Sequence, residues 1–438
     1  MERCPIDTID LATFDPFDPA VLARPELAYA AMRQVAPVFK VPGQQVFLVT
    51  RYSDVLNAVR DTATFSNQFK SPGTALGSGG PEIQAELAAI RAEGYPQVPT
   101  LLTSDAPAHT RYRRLVSRAF TPKRVASWRP RIEQLAEELI DGFAAAGEVE
   151  LVEQFAVPLP VGVIAHALGV PADKTTDFKQ WTNDSTDTIG AAVTDERRLE
   201  AARGLVDFQH YFAGELEERR HHPRDDFLCD LVQATIDDDG NEDLDDRRPL
   251  DVPEMLSILH QLLVAGNETT TSLIAEAMRL LAGEPAEVAR VARDPDKAAL
   301  VVEEALRLAA PAQGMFRIAS RDTSLSGVSI PAGATVILLY ASANRDDAVF
   351  ETPDAFCPGR ANARQHLSFG LGTHFCVGAS LSRSEAEVAL SALCRRLANP
   401  RLDARFEVSY KPSFVLRGPR AMHLLFDPPP TDQVRHPT

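Results

Sequence analysis

Phe369-Gly370-Leu371-Gly372-Thr373-His374-Phe375-Cys376-Val377-Gly378 is the stretch that decides how this chain folds. One sulfur stands among three glycines. Gly370, Gly372 and Gly378 permit positive φ and let the backbone approach a flat ligand with no Cβ between them. Downstream, Leu390, Leu393 and Leu397 recur at i, i+3 and i+7 beside Arg395 and Arg396, which predicts a helix starting just after Cys376. The free N–H groups and positive dipole end of that helix favour the thiolate, the form that binds a metal. Taken alone, the stretch also fits a buried cysteine in a glycine-rich turn.

The stretch resembles the haem-binding loop of the cytochrome P-450 superfamily. Its Phe-x-x-Gly-x-x-x-Cys-x-Gly pattern is matched at Phe369, Gly372, Cys376 and Gly378. The resemblance implies that Cys376 is the axial iron ligand, with Phe369, Gly370 and Gly378 shaping the bed of the haem. An axial thiolate pushes electron density onto the metal and favours O–O cleavage.

Composition is consistent with that. Of the 438 residues, 45% are hydrophobic and 24% charged, ordinary for a globular protein with a large core. No Gly/Ser linker or repeat divides the chain, so residues 1–438 are expected to form one domain, with loosely ordered tails at 1–20 and 428–438. No basic leader or long apolar run opens the sequence, which predicts a cytoplasmic protein without membrane insertion. Cys4, Cys229, Cys357, Cys376 and Cys394 are odd in number and scattered, which argues against a disulfide framework and, with no CxxC pair, against zinc. A net charge of −16 disfavours nucleic acid. One region departs from this acidity: residues 106–132 hold no Asp or Glu but contain Arg111, Arg113, Arg114, Arg118, Lys123, Arg124, Arg129 and Arg131. Such a patch can dock an acidic partner.

In chain order, residues 25–33 read as a short helix, and the runs 38–41 and 45–50 flank Pro42-Gly43 as a hairpin. Ser53 is placed to cap a helix reaching residue 60. The Gly/Pro-rich stretch 66–103, broken by a helix at 83–92, is either a substrate-access lid or a surface insertion. His109 and Arg113 lie four apart, on one helix face. Helices are predicted over 125–145, 159–168, 175–192 and 196–220, and a solvated acidic loop over 237–248.

Pro253 opens a long apolar helix to about residue 281. Within it, Ala265-Gly266-Asn267-Glu268-Thr269-Thr270 combines a destabilising glycine with a threonine whose hydroxyl can turn back onto the Ala265 carbonyl. The apolar helix 300–308 carries Glu304 and Arg307 on one face. A second hairpin is expected between 323–328 and 335–339, turning at Pro331-Ala332-Gly333. Near the C-terminus, strands at 406–409 and 421–425 flank a turn at Phe414-Val415-Leu416.

These segments, about residues 25–426, resemble the same superfamily in order. The resemblance implies a mainly α fold with a small β region, one large domain enclosing haem b. It assigns His109, Arg113, Arg317 and His374 to the haem propionates, and Glu268 and Thr269 to a proton relay serving oxygen activation. Glu304, Arg307 and Arg360 become a structural ion network, with Asn344-Arg345-Asp346 a further structural signature. Val264, Ala265, Gln313, Met315, Val415 and Leu416 are implied to face the substrate. Departures from the pattern are Asn267, Ala355 and Cys357-Pro358. The implied reaction is monooxygenation of an apolar fatty acyl, terpenoid or steroid substrate with O₂. Electrons would come from an external ferredoxin and ferredoxin reductase docking near Arg111, Arg114 and Arg118 of a monomeric chain. A peroxygenase using H₂O₂, or a haem sensor or carrier, is the alternative.

Overall fold

The helix Val252–Leu281 runs through the computed structural model as its axis. Asp251 accepts a hydrogen bond from the Glu254 N–H at 2.9 Å, and the Glu254 carboxylate accepts one from the Asp251 N–H at 2.9 Å. This reciprocal cap satisfies donors a helix start leaves open. Leu259, Leu263, Leu273, Ile274 and Met278 are fully buried along its length. Around it pack Pro158–Ala167, Thr175–Thr186, Asp195–His221, Ala298–Ala309 and Ala379–Arg396, their apolar faces merging into one large core. The structure describes residues 14–15, 18–69, 80–117, 120–186, 193–235, 248–411 and 413–427. The expected tails, the acidic stretch, the end of the 175–192 helix and Arg118 lie wholly or largely outside them.

The β region stands to one side. Its five-stranded sheet has the order Val38–Lys40, Val46–Val49, Thr335–Leu338, Met315–Ala319, Phe65–Ser66. The predicted hairpin around Pro42-Gly43 forms the first antiparallel pair, with Val38 opposite Val49. The second hairpin differs from expectation. Thr323–Leu325 pairs with Val328–Ile330, not with Thr335–Leu338, which instead joins Val46–Val49 in parallel and Met315–Ala319 antiparallel. The reason lies in Ser326 and Gly327, which both take positive φ (46° and 77°), the geometry of the tight two-residue turn that matches strand twist. Ser53 is likewise not a cap: the helix is Tyr52–Arg60, with Arg51 at the cap position and no side-chain bond there. Glu148–Glu150, His423–Asp427 and Ala398–Leu402 form a separate antiparallel sheet. Among the described residues no helix is long and apolar enough to cross a membrane.

Arg111 requires a correction. It is buried, its guanidinium 2.8 Å from the Glu254 carboxylate and also donating to the carbonyls of Arg248 and Pro249 at 2.9 and 3.1 Å. Helical spacing turns Arg111, Tyr112 and Leu115 inward, so a run of cations that reads as one patch is split between core and surface. Arg111 therefore ties the basic helix Ala108–Ser117 to the start of the central helix, with the Tyr112 hydroxyl (3.1 Å) and Arg248 (2.8 Å) on the same carboxylate.

Burial alone would raise the Glu254 carboxyl, but hydrogen bonds from Arg248, Arg111 and the Asp251 N–H overcome it and hold it at about 2. A carboxyl depressed in the folded state stabilises the fold fully above its unfolded value of 4.5, and that contribution disappears as pH falls toward about 2. Glu254→Gln is therefore expected to lower the melting temperature at pH 7 and to narrow the gap between pH 7 and pH 3 melts. An unchanged gap would show that the cluster does not couple to folding.

Candidate active site

A cavity of about 240 Å³ opens between the central helix and the Cys376 loop. Cys376 lines it, just ahead of the helix Ala379–Arg396. The Cys376 N–H donates to the Phe369 carbonyl at 2.9 Å, closing the loop on itself. Gly370 and Gly372 take φ of 66° and 68°, and a Cβ at Gly378 would meet no protein atom within 4 Å. The backbone there faces open space. Phe369 is stacked under the Arg383 guanidinium, 4.6 Å from the ring centre, and Arg383 is held by Glu303 at 2.6 Å.

The thiol does not behave as helix position alone predicts. Burial pushes Cys376 up, and hydrogen bonding from the Gly378 N–H, the cations Arg113 and Arg383, and the Ala379 N–H offset this only in part. Desolvation of a charge outweighs a dipole end. A cation bound at the sulfur deprotonates a coordinating thiol outright.

Four predicted cationic or imidazole side chains meet at one end of the cavity: His109, Arg113, Arg317 and His374 all line it. The two imidazoles lie 4.0 Å apart. Burial, reinforced by Arg113, lowers His109 to about 4. Burial, then His109 and Arg317, lower His374 to about 3. The His109 Nδ1 and Arg317 Nε atoms are buried with no protein partner, in residues almost wholly removed from solvent. The Arg317 Nε is a buried donor without an acceptor, which is costly, and with Arg113 beside it this end suits an anion.

On the opposite wall, Ala265, Gly266, Thr269 and Thr270 of the central helix line the cavity. The Thr269 hydroxyl donates to the Ala265 carbonyl at 2.6 Å. Glu268 does not line the cavity; its carboxylate pairs with Lys411 at 2.8 Å. Neighbouring polar groups reach separate elements: Asn267 donates to Thr182 at 3.1 Å, and Thr271 to the Ala156 carbonyl at 3.0 Å.

Of the residues expected to face the substrate, Ala265 and Met315 line the cavity, whereas Val264, Gln313, Val415 and Leu416 do not. Gln313 is buried with its amide donating to the carbonyls of Ala309 and Ala310 at 3.1 and 2.7 Å. It closes a helix end whose cap residue, Ala310, has φ of 40°. Val415 accepts from the Gln313 N–H, and Leu416 bridges to Ala312. Val264 falls off the helix face marked by Gln261, Leu262, Ala265 and Thr269. Residues that sequence reasoning missed include Leu101, Leu102, Gln261, Leu262 and Ala312. A signal for the first two existed in the 66–103 stretch, which is pinned to the central helix by the Val98 N–H on Ser257 (2.9 Å) and the Leu102 N–H on Gln261 (3.1 Å).

The ion network is completed across three segments. Glu304 and Arg307, both fully buried, pair at 2.8 Å, and Arg360 reaches Glu304 at 3.1 Å.

Residues 193–399 match the cytochrome P-450 family. The chain is 37% identical over 401 residues to 6-deoxyerythronolide B hydroxylase of Saccharopolyspora erythraea, covering 89% of this chain and 93% of that relative. It is 35% identical over 407 residues to the cytochrome P-450 monooxygenase PikC of Streptomyces venezuelae, covering 91% and 90%. Among solved structures, cytochrome P-450 CYP109Q5 from Chondromyces apiculatus aligns with a TM-score of 0.83 at 36% identity, covering 96% of this chain and 100% of that one. P-450 BioI, solved in complex with hexadec-9Z-enoic acid ligated acyl carrier protein, aligns at 0.79 and 29% identity, covering 93% and 99%. The chain belongs to the bacterial cytochrome P-450 family and is a P-450 monooxygenase.

The family's haem cofactor fits the residues present. A single sulfur at a glycine-lined wall suits the iron, and the orphaned Arg317 Nε donor with the neighbouring Arg113 suits carboxylates at the rim. Gly378 has an ordinary φ of −85°, so Gly378→Leu adds bulk to the cavity without backbone strain. Its melting temperature without haem should match wild type, while the haem bound per chain, read from absorbance, falls several-fold. Full loading would place the haem elsewhere.

Proposed function

We propose that this monooxygenase inserts one oxygen atom from O₂ into an apolar small molecule of the fatty acyl, terpenoid or steroid class. It acts in the cytoplasm as a monomer, with haem b (iron protoporphyrin IX) as cofactor and an external ferredoxin and ferredoxin reductase as electron source. The observation that carries this reading is the shared cavity, with Cys376 on one wall, Thr269 on the other and the His109, Arg113, Arg317, His374 group at its end. When bound, the haem supplies electron acceptance and oxygen activation.

Cys376 is the proposed iron ligand. The Gly378 and Ala379 N–H groups with Arg113 and Arg383 offset negative charge on its sulfur. His109, Arg113, Arg317 and His374 would donate to the propionates, and a guanidinium suits a carboxylate especially well. Glu304, Arg307 and Arg360 hold the chain leading into the loop. Leu101, Leu102, Leu262, Ala312 and Met315 exclude water and favour a hydrocarbon, and the acyl chain named in the P-450 BioI structure supports the fatty acyl option. Thr269 holds its hydroxyl proton on the Ala265 carbonyl, and one χ1 rotation would offer that proton to the cavity. Glu268, next to Thr269 in the chain, pairs with the half-exposed Lys411 at 2.8 Å, and its part in the proposed relay is to take up protons on that side of the helix turn.

A threonine hydroxyl on the cavity wall favours O₂ chemistry over a peroxygenase taking H₂O₂ directly, which needs no proton delivery, and over a haem sensor or carrier. With O₂, ferredoxin and reductase, Thr269→Ala should lose product by about 10- to 100-fold and release peroxide, with the spectral shift on substrate binding unchanged. Wild-type product levels in that variant would overturn the relay. A spectral-shift screen of fatty acyl, terpenoid and steroid ligands identifies the substrate class.

Arg114 and Arg118 are the proposed docking cations, Arg111 being internal. Exchanging both for Glu should slow electron transfer from ferredoxin and flatten its salt dependence. Unchanged rates and salt slopes would locate docking elsewhere.

A further inference from the structure

Two side-chain amides of the cavity wall hold a single residue's backbone. Gln261 on the central helix and Asn67, just past the edge strand Phe65–Ser66, both line the cavity, as does Leu102. The Leu102 N–H donates to the Gln261 Oε1 at 3.1 Å, and the Asn67 Nδ2 donates to the Leu102 carbonyl at 3.3 Å. These contacts fix which way each amide is turned, because a backbone N–H only donates and a carbonyl only accepts. Gln261 is left with its NH₂ group, and Asn67 with its carbonyl oxygen.

Neither remaining group has a partner among the described residues. The Asn67 Oδ1 is buried and unpaired, in a residue that is 1% exposed, and the Gln261 NH₂ makes no bond beside the one its oxygen accepts. Asn67 cannot swing out to water, since its own N–H is held by the Asp105 carboxylate at 2.8 Å. An unmet buried amide oxygen is costly. The hydroxyls of the facing helix turn are already used, Thr269 on the Ala265 carbonyl and Thr270 on Ser382, and Leu101, Leu262, Ala312 and Met315 make the surrounding wall apolar. A few placed polar groups in an apolar pocket are what orients a ligand. Carboxylates only accept, so haem propionates would leave the Asn67 oxygen unmet, and an alkyl chain meets neither group. A hydroxyl meets both: its oxygen accepts from Gln261 and its hydrogen goes to Asn67.

We propose that Asn67 and Gln261 are specificity-determining residues that together take a hydroxyl group of the substrate. The favoured substrate is then an apolar molecule that already carries a hydroxyl, away from the carbon to be oxidised, and not a plain hydrocarbon chain. The inference rests on the monooxygenase reading above and narrows its substrate class to the oxygenated members.

N-alkylimidazole probes test this without turnover, because an imidazole nitrogen that binds the haem iron shifts the haem absorbance whatever tail it carries. Tails ending in methyl, methoxy and hydroxyl are compared over a series of lengths in the haem-loaded chain. At the length that reaches Leu102, the hydroxyl tail should bind about tenfold more tightly than the methyl tail, the worth of a good neutral hydrogen bond, with the methoxy tail between them. Gln261→Glu keeps the oxygen that the Leu102 N–H needs but loses the donor, so the methoxy tail should drop to the methyl level. Asn67→Leu removes the acceptor, so the hydroxyl tail should fall to the methoxy level. Equal binding of methyl and hydroxyl tails at every length in wild type overturns the proposal, as does a hydroxyl preference that neither variant changes. Spectral shifts without preference leave the monooxygenase reading standing and sink the hydroxyl site alone. Probes that cause no shift at all remove the haem from this cavity, and both readings fall.

Discussion

Glu304, without solvent exposure, is held between the guanidiniums of Arg307 and Arg360, and the placement of the Cys376 loop follows from it. Arg307 also donates to the carbonyls of Asn344, Pro353 and Ala355. Asn344 in turn accepts from the Leu367 N–H at 2.6 Å and donates to the Ser368 hydroxyl at 2.8 Å, while Ser368 donates back to the Leu306 carbonyl. Charge pairing inside the core thus fixes the entry to the loop within two residues of Phe369. Removing one partner of such a group costs ~3–5 kcal/mol because the remaining charges stay buried. The network is better understood as setting geometry than as adding net stability.

The loop's far end is fixed by a helix start and the near wall by the central helix. Along that helix, residues 267, 268, 270 and 271 each bond a different part of the structure, while Thr269 bonds its own helix. One turn is therefore anchored to four separate partners, of which Ser382 itself lines the cavity. Glycine at 266 and the inward bond of Thr269 leave that turn as the place where polar groups and open space coexist in an otherwise apolar core. The same logic holds at the rim, where the Arg317 Nε donor and a ring nitrogen of His109 are buried without protein partners. Polar groups unsatisfied by the protein mark where something else is meant to bind.

Much of this was legible in the chain. Glycine spacing about Cys376, the apolar run after Pro253 and the hairpin at Pro42-Gly43 are local signals, and local geometry produced the elements they announce. The second hairpin was misjudged because Ser326-Gly327 makes a tighter turn than Pro331-Gly333, freeing Thr335–Leu338 for non-local pairing. Arg111 was misjudged because charge density along a sequence does not say which helix face is buried.

The sequence by itself determined the sulfur, its glycine surroundings, the order of the motifs and hence the family, because each depends on residues close together in the chain. Only the tertiary structure decided which side chains share the cavity. It removed Gln313, Val415 and Leu416 from the wall, brought Leu101 and Leu102 to it, tied Glu268 to Lys411 and joined Thr270 to Ser382. The physical reason is that burial and pairing are properties of surroundings: Glu268 meets Lys411, 143 residues further along the chain, and no spacing rule anticipates that contact.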